Sequence, residues 1–235
     1  MFLVGFISAV ITLWIRRAVP ETDTWTVART TTVIPPVTDL FRGALRRTTL
    51  LSSTVCGLML TAHWALMFWY LQHVRSLTEF LAWSPAERTL LASIALLVVM
   101  ITLIIGDFCA ALLAHRLGWR RAVALLSIAY TVLVTWGFSV PRPLAELWPF
   151  LTGIGICQGV FTLFTMYLPP LFPTLPRTTG AGLCYNTRRI FAACGTVVFV
   201  TIAPLGQVRI GLVIAATLFI PAAILALFLP PVGDR

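Results

Sequence analysis

Long, uninterrupted apolar runs constrain this chain more than any other feature. They cover about 1–15, 50–72, 89–113, 122–140, 148–168, 180–205 and 210–229 of its 235 residues. All but the first are long enough, at about 1.5 Å per residue, to cross a hydrocarbon core roughly 30 Å thick. Backbone in lipid must satisfy its own hydrogen bonds, and runs this long and continuous read as helices rather than barrel strands. With 59% of residues hydrophobic and 11% charged, the chain lies outside both the soluble globular and the disordered classes. The expectation is an all-α integral membrane protein with about seven transmembrane helices. Pro204 and Pro221 fall inside two of the runs, where neighbouring groups make kinks tolerable.

Charge then sets orientation. All 17 basic residues are arginine. A net charge of +9 would suggest nucleic acid in a soluble protein, but these arginines sit between apolar runs and read as topological charge, so no nucleic-acid partner is expected. Arg16, Arg17, Arg29, Arg42, Arg46, Arg47, Arg116, Arg120, Arg121, Arg177 and Arg235 fall on one side. Arg75, Arg88, Arg142 and Arg209 fall on the other. The richer side is expected to be cytoplasmic, which puts the C-terminus inside a cell (inner) membrane. Cys56, Cys109, Cys157, Cys184 and Cys194 form no CxxC or Cys/His cluster, so they read as small packing residues and no metal is expected.

The first run spans only about 23 Å as a helix, and its positive charge follows it. It lacks the basic start and small-residue cleavage site of a signal peptide. It reads as the tail of a helix whose beginning lies upstream. The expected division is a partial helix over 1–15, a cytoplasmic inter-domain loop over 16–49 and a six-helix unit over 50–235. Within that unit a long connection (73–88) precedes a short one (114–121), and a longer one (169–179) precedes a very short one (206–209). The same order with sides exchanged is what a 3+3 inverted repeat produces.

Two stretches carry a family resemblance. Ala111-Leu-Leu-Ala-His115-Arg116-Leu-Gly118-Trp-Arg120-Arg121 resembles the loop signature of the major facilitator superfamily, Gly-x-Leu-Ala-Asp-Arg-x-Gly-Arg-Arg-Arg, in the copy between helices eight and nine. Ala111 stands where the family has glycine, and His115 where it has an acid. Physically, Gly118 permits a tight turn, while the arginines anchor helix ends to carboxylates and lipid phosphates. Asp107, two turns earlier, is the nearest acid. The second stretch runs from Tyr167 to Ile190 and resembles the helix-ten to helix-eleven junction of the metabolite:proton symporter branch, which includes aromatic-acid and sialate carriers. Arg177, Gly180, Gly182, Asn186 and Arg189 match that pattern; Pro170 and Arg188 depart from it. Ile15-Arg-Arg-Ala-Val-Pro-Glu21 is similar to the end of helix six. The resemblance implies the C-terminal half of a twelve-helix carrier that moves a small organic anion with protons. It also implies a missing N-terminal half as partner, with the lipid bilayer around both.

Several residues merit a functional reading beside a structural one. Arg189, about nine residues into a helix that starts near Gly180, lies deep enough to meet an anion with its planar fork; a helix starting near Ile190 would let it snorkel instead. Arg188, about 100° around, reads as interfacial charge. Asn186 shares the Arg189 face and either binds substrate or bonds across helices. Asp107 either carries a proton or pairs with an arginine. His63 and Trp64 belong either to a cavity or to an aromatic belt. Gln158 offers an amide to a central pathway or to a neighbouring helix. Gly155 and Gly159, as GxxxG, predict close helix packing. No nucleophile elbow, zinc-protease motif or phosphate loop occurs, so neither an enzyme nor a cofactor is expected. The alternatives are a half-transporter pairing with itself or with a separate N-terminal half, and a seven-helix sensor.

Overall fold

A computed structural model describes residues 2–18, 20, 23–31, 35–202 and 208–232. Met1, Glu21, Pro204 and Arg235, which bear on orientation, motif and kink expectations, lie outside the described residues. Within them the secondary structure is helical throughout: α1 (Phe2–Ala18), α2 (Asp23–Thr31), α3 (Gly43–Arg75), α4 (Pro85–Leu117), α5 (Trp119–Phe138), α6 (Leu144–Gln158), α7 (Val160–Tyr167), α8 (Arg177–Ile202), α9 (Val208–Thr217) and α10 (Phe219–Leu227). Short 3-10 turns at Val37–Phe41, Thr78–Phe80 and Pro169–Leu171 join them.

Among the described residues, five units are long and apolar enough to span a membrane: α3, α4, α5, Leu144–Tyr167 (α6 with α7) and Val208–Leu227 (α9 with α10). This is a multi-pass membrane architecture. Two of the seven expected crossings fall short of that measure for visible reasons. α1 has 17 residues, and α8, although 26 residues long, carries Arg188 and Arg189 in its middle.

Local chemistry sets the boundaries. α4 opens on a capping box: the Ser84 hydroxyl accepts from the Glu87 amide, the Glu87 carboxylate accepts from the Ser84 amide, and Pro85 takes the first turn. Gly118, at φ +82°, is the whole connection between α4 and α5; a side chain there would be strained. Pro221 has no N–H for the Thr217 carbonyl. The helix accordingly breaks at Leu218, whose amide turns to the Ala215 carbonyl at 3.3 Å. The stretch expected as a loop over 16–49 contains α2, and α3 begins at Gly43. At 33 residues, α3 is about 50 Å long and overshoots the hydrocarbon core, so its first turns, with Arg46 and Arg47, extend into the headgroup zone.

α3 is the hub, packed along α8 and against α9 and α10, while α4 packs along α6 and α7. α5 closes on α10, where Tyr130 and Phe219 stack 4.2 Å apart, both fully buried. The first helix of each three-helix set (α3, α6) thus pairs with the second helix of the other (α8, α4). Two interleaved units give that exchange. By contrast, Phe6, Ile7, Ile11 and Trp14 of α1 are all exposed, so α1 presents apolar surface outside the bundle.

Candidate functional site

α8 turns a stripe of Ala181, Cys184, Arg188 and Ala192 inward, all of them buried. The spacing of three, four and four residues keeps one face on α3. Arg188 is only 9% exposed. Its guanidinium lies over the Tyr185 ring, 3.1 Å from the centroid, a cation–π contact. Its Nε has no hydrogen-bond partner, and among the described residues it forms no ion pair with a carboxylate. Across the seam, His63 and Cys56 of α3 lie within electrostatic reach of this charge. The His63 ring meets Phe161 of α7 edge-on at 5.1 Å and Trp64 at 5.7 Å. Deeper still, the Gln158 amide and the Tyr130 hydroxyl neighbour one another, both buried and both without a well-formed hydrogen bond.

An intramembrane cation with no counter-charge is costly, and such residues face one another, a water-filled cavity or a ligand. The α3–α7–α8 seam gathers a guanidinium, an imidazole and aromatic rings. The two neighbouring arginines have exchanged the burial expected of them. The helix begins at Arg177, ahead of Gly180, so both arginines lie well inside α8. Packing on α3 then selects Arg188 for the interior and leaves Arg189 exposed. Arg189 borders a groove of about 500 Å³ with Trp64, Phe68 and Ala193. Asn186 is exposed too and spends its amide on the Gly182 carbonyl, one turn back at 2.8 Å. The structure thus joins Trp64 with Arg189 on an outer face, sets His63 near Arg188, and buries Gln158 beside Tyr130.

Asp107 forms no ion pair with an arginine among the described residues. Its carboxylate accepts a 2.6 Å hydrogen bond from the Thr162 hydroxyl of α7. This short bond exists because α4 and α6 approach backbone to backbone. A Cβ on Gly159 would run into the Gly106 carbonyl, and one on Gly106 into the Ile156 backbone. Close packing at Gly155 and Gly159 is as the GxxxG spacing predicts.

In the loop signature, the Arg120 guanidinium donates to the Leu227 and Leu229 carbonyls at 3.4 and 3.1 Å. It satisfies orphan carbonyls at the end of α10, where a cation also complements the helix dipole. Trp119 is buried and stacks on Tyr167 at 5.5 Å. His115, Arg116 and Arg121 are exposed beside Gly118. Arg177 reaches back to the Phe172 carbonyl at 3.4 Å. This end of the bundle is tied together by arginine–carbonyl bonds rather than by ion pairs with Asp107.

Sequence reasoning missed Tyr185, Phe161 and Tyr130 as partners of the polar seam. Only the three-residue spacing of Tyr185 and Arg188 was a usable signal, since it stacks the two on one helix face.

No protein-family model matches the chain. It is 28% identical over 207 residues to a probable 4-methylmuconolactone transporter of Cupriavidus pinatubonensis. The match covers 84% of this chain but 44% of that protein, so the chain spans less than half the length of the curated relative it matches. The membrane-spanning helices make this a multi-pass membrane protein, and most of the chain is similar to part of a transporter.

Proposed function

We propose that this chain forms the C-terminal six-helix half of a major facilitator transporter. It would move a small organic anion coupled to protons, and it would be inactive without an N-terminal half. Arg188 is the observation that carries the reading: a buried guanidinium without a carboxylate, walled by Tyr185 and near His63. An entering carboxylate would supply the missing counter-charge as a bidentate, charge-assisted pair. The relative's name supports an unsaturated, carboxylate-bearing metabolite as the kind of cargo, because flat aromatic walls suit a flat substrate. The exchanged pairing of α3 with α8 and α4 with α6 supports a repeat-built half, and the 44% coverage supports a second half of similar size. In such carriers two halves rock around a midplane site. Trp64, Phe68 and Arg189 then line a face that the other half covers. The arginine distribution favours an inner-membrane location with the C-terminus in the cytoplasm.

Proteoliposome uptake of a labelled organic anion under an imposed proton gradient tests this reading. The chain alone takes up nothing; joined behind the corresponding N-terminal part of the relative, it takes up the anion. Uptake by the chain alone would sink the reading that it needs an N-terminal half. Self-pairing would show as that same uptake together with a crosslinked dimer.

A further inference from the structure

At the end of the bundle that carries the α3–α4 and α5–α6 connections lies a second cavity, of about 890 Å³, remote from the Arg188 seam. Its lining is polar at Ser76, Thr78, Ser139, Arg142 and Arg209 and apolar at Phe138, Val213 and Ile214. The charges are unevenly committed. Glu79 accepts the Leu144 amide at 2.6 Å. Arg142 is held by Glu146 at 3.2 Å and lies over Phe150. Arg209 has only a long bond to the Ser139 carbonyl, 3.4 Å, and no ion pair with a carboxylate among the described residues. From Arg209 an apolar track leads along α9. Ile210 and Ile214, one turn apart, are 44% and 36% exposed and face outward, with the half-buried Val213 beside them.

We propose that this cavity is a binding site for an anionic phospholipid. Arg209 takes the phosphate, Ser76, Thr78 and Ser139 surround the remaining headgroup, and an acyl chain lies along Val213, Ile210 and Ile214. Three features select this occupant over a soluble anion. The volume falls within the range of about 300–1,000 Å³ typical of ligand sites. The cation stands at the polar end of a hydrophobic span, where headgroups lie. The wall beside it opens sideways along an apolar helix face, which matches a tail and leaves a free phosphate ion half-solvated.

The test uses the purified full chain in detergent. Thermal unfolding is followed with added phosphatidylglycerol, with phosphatidylcholine of the same acyl chains, and with inorganic phosphate, while native mass spectrometry counts retained lipid. Phosphatidylglycerol raises the midpoint and stays bound; the other two do neither. Arg209→Gln weakens the phosphatidylglycerol response about tenfold, as expected for one lost charge-assisted bond. Val213→Phe, which obstructs the acyl track and leaves the charge in place, reduces retention. Equal stabilisation by phosphatidylcholine, a matching effect of inorganic phosphate, or undiminished retention in both variants would overturn the proposal. If either variant does not fold, the three-way comparison on the wild-type chain decides the matter alone.

Discussion

Replacing Gly159 by alanine tests the closest helix crossing in the bundle. The added methyl would fall on the Gly106 carbonyl, with the Asp107 amide nitrogen 2.8 Å away. Both neighbours are backbone, so no rotamer change can relieve the clash, and α4 and α6 must move apart. Overpacking of this kind costs roughly 1–3 kcal/mol. Separation also stretches the Thr162–Asp107 bond of 2.6 Å, and an interhelical bond in a membrane protein contributes about 0.6 kcal/mol. Against this, alanine gains roughly 1 kcal/mol of helix propensity over glycine. The net is a loss of about 0.5–2.5 kcal/mol, which at this size lowers the unfolding midpoint by roughly 2–4 °C per kcal/mol. Gly182→Ala is the control, because nothing lies within 4 Å of its Cβ position; there the propensity gain stands alone and the midpoint stays or rises. With the exposed Cys109 and Cys194 replaced by serine, a thiol-reactive dye reports the transition through the buried Cys56, Cys157 and Cys184. A Gly159→Ala protein that unfolds at the wild-type temperature, or a Gly182→Ala protein that loses as much, refutes the crossing geometry.

Other outcomes follow from the same contacts. A double-mutant cycle of Asp107→Ala with Thr162→Val should give a coupling of about 0.6 kcal/mol and no more than roughly 1.7; zero coupling would show that the bond contributes nothing. Arg120→Ala removes the donors to Leu227 and Leu229, costs about 1 kcal/mol, and speeds amide exchange in the last turn of α10. Unchanged exchange there would contradict the anchoring role. In the completed transporter, Arg188→Gln should abolish anion uptake, while Arg189→Gln reduces it by less than about tenfold; the reverse order would move the anion site to the outer groove.

What was legible in the sequence divides by length scale. Apolar runs announced the long helices because twenty unbroken apolar residues have no other stable form in lipid. Gly118 and Pro221 announced a turn and a break because each forbids the alternative locally. GxxxG at Gly155 announced close packing, although not that α4 is the partner. Arg188 and Arg189 show where reading along the chain fails. They are adjacent and chemically identical, so only the rotation of α8 against α3 separates them. That rotation is set by Cys184 and Ala192 packing on a helix more than a hundred residues away. Asp107 failed for a similar reason: of the arginines nearest in sequence, Arg116 and Arg121 are exposed and Arg120 bonds carbonyls at the end of α10, whereas Thr162 is brought to Asp107 by the glycine crossing.

Uptake by the completed transporter, compared between wild type and the Arg188 variants, tests the central reading most directly. Wild type is predicted to accumulate a labelled organic anion with an inward proton gradient. Arg188→Lys should retain part of that uptake by keeping the charge without the fork, and Arg188→Gln should show none while still inserting and unfolding cooperatively. Wild-type uptake in the Arg188→Gln protein would contradict the account.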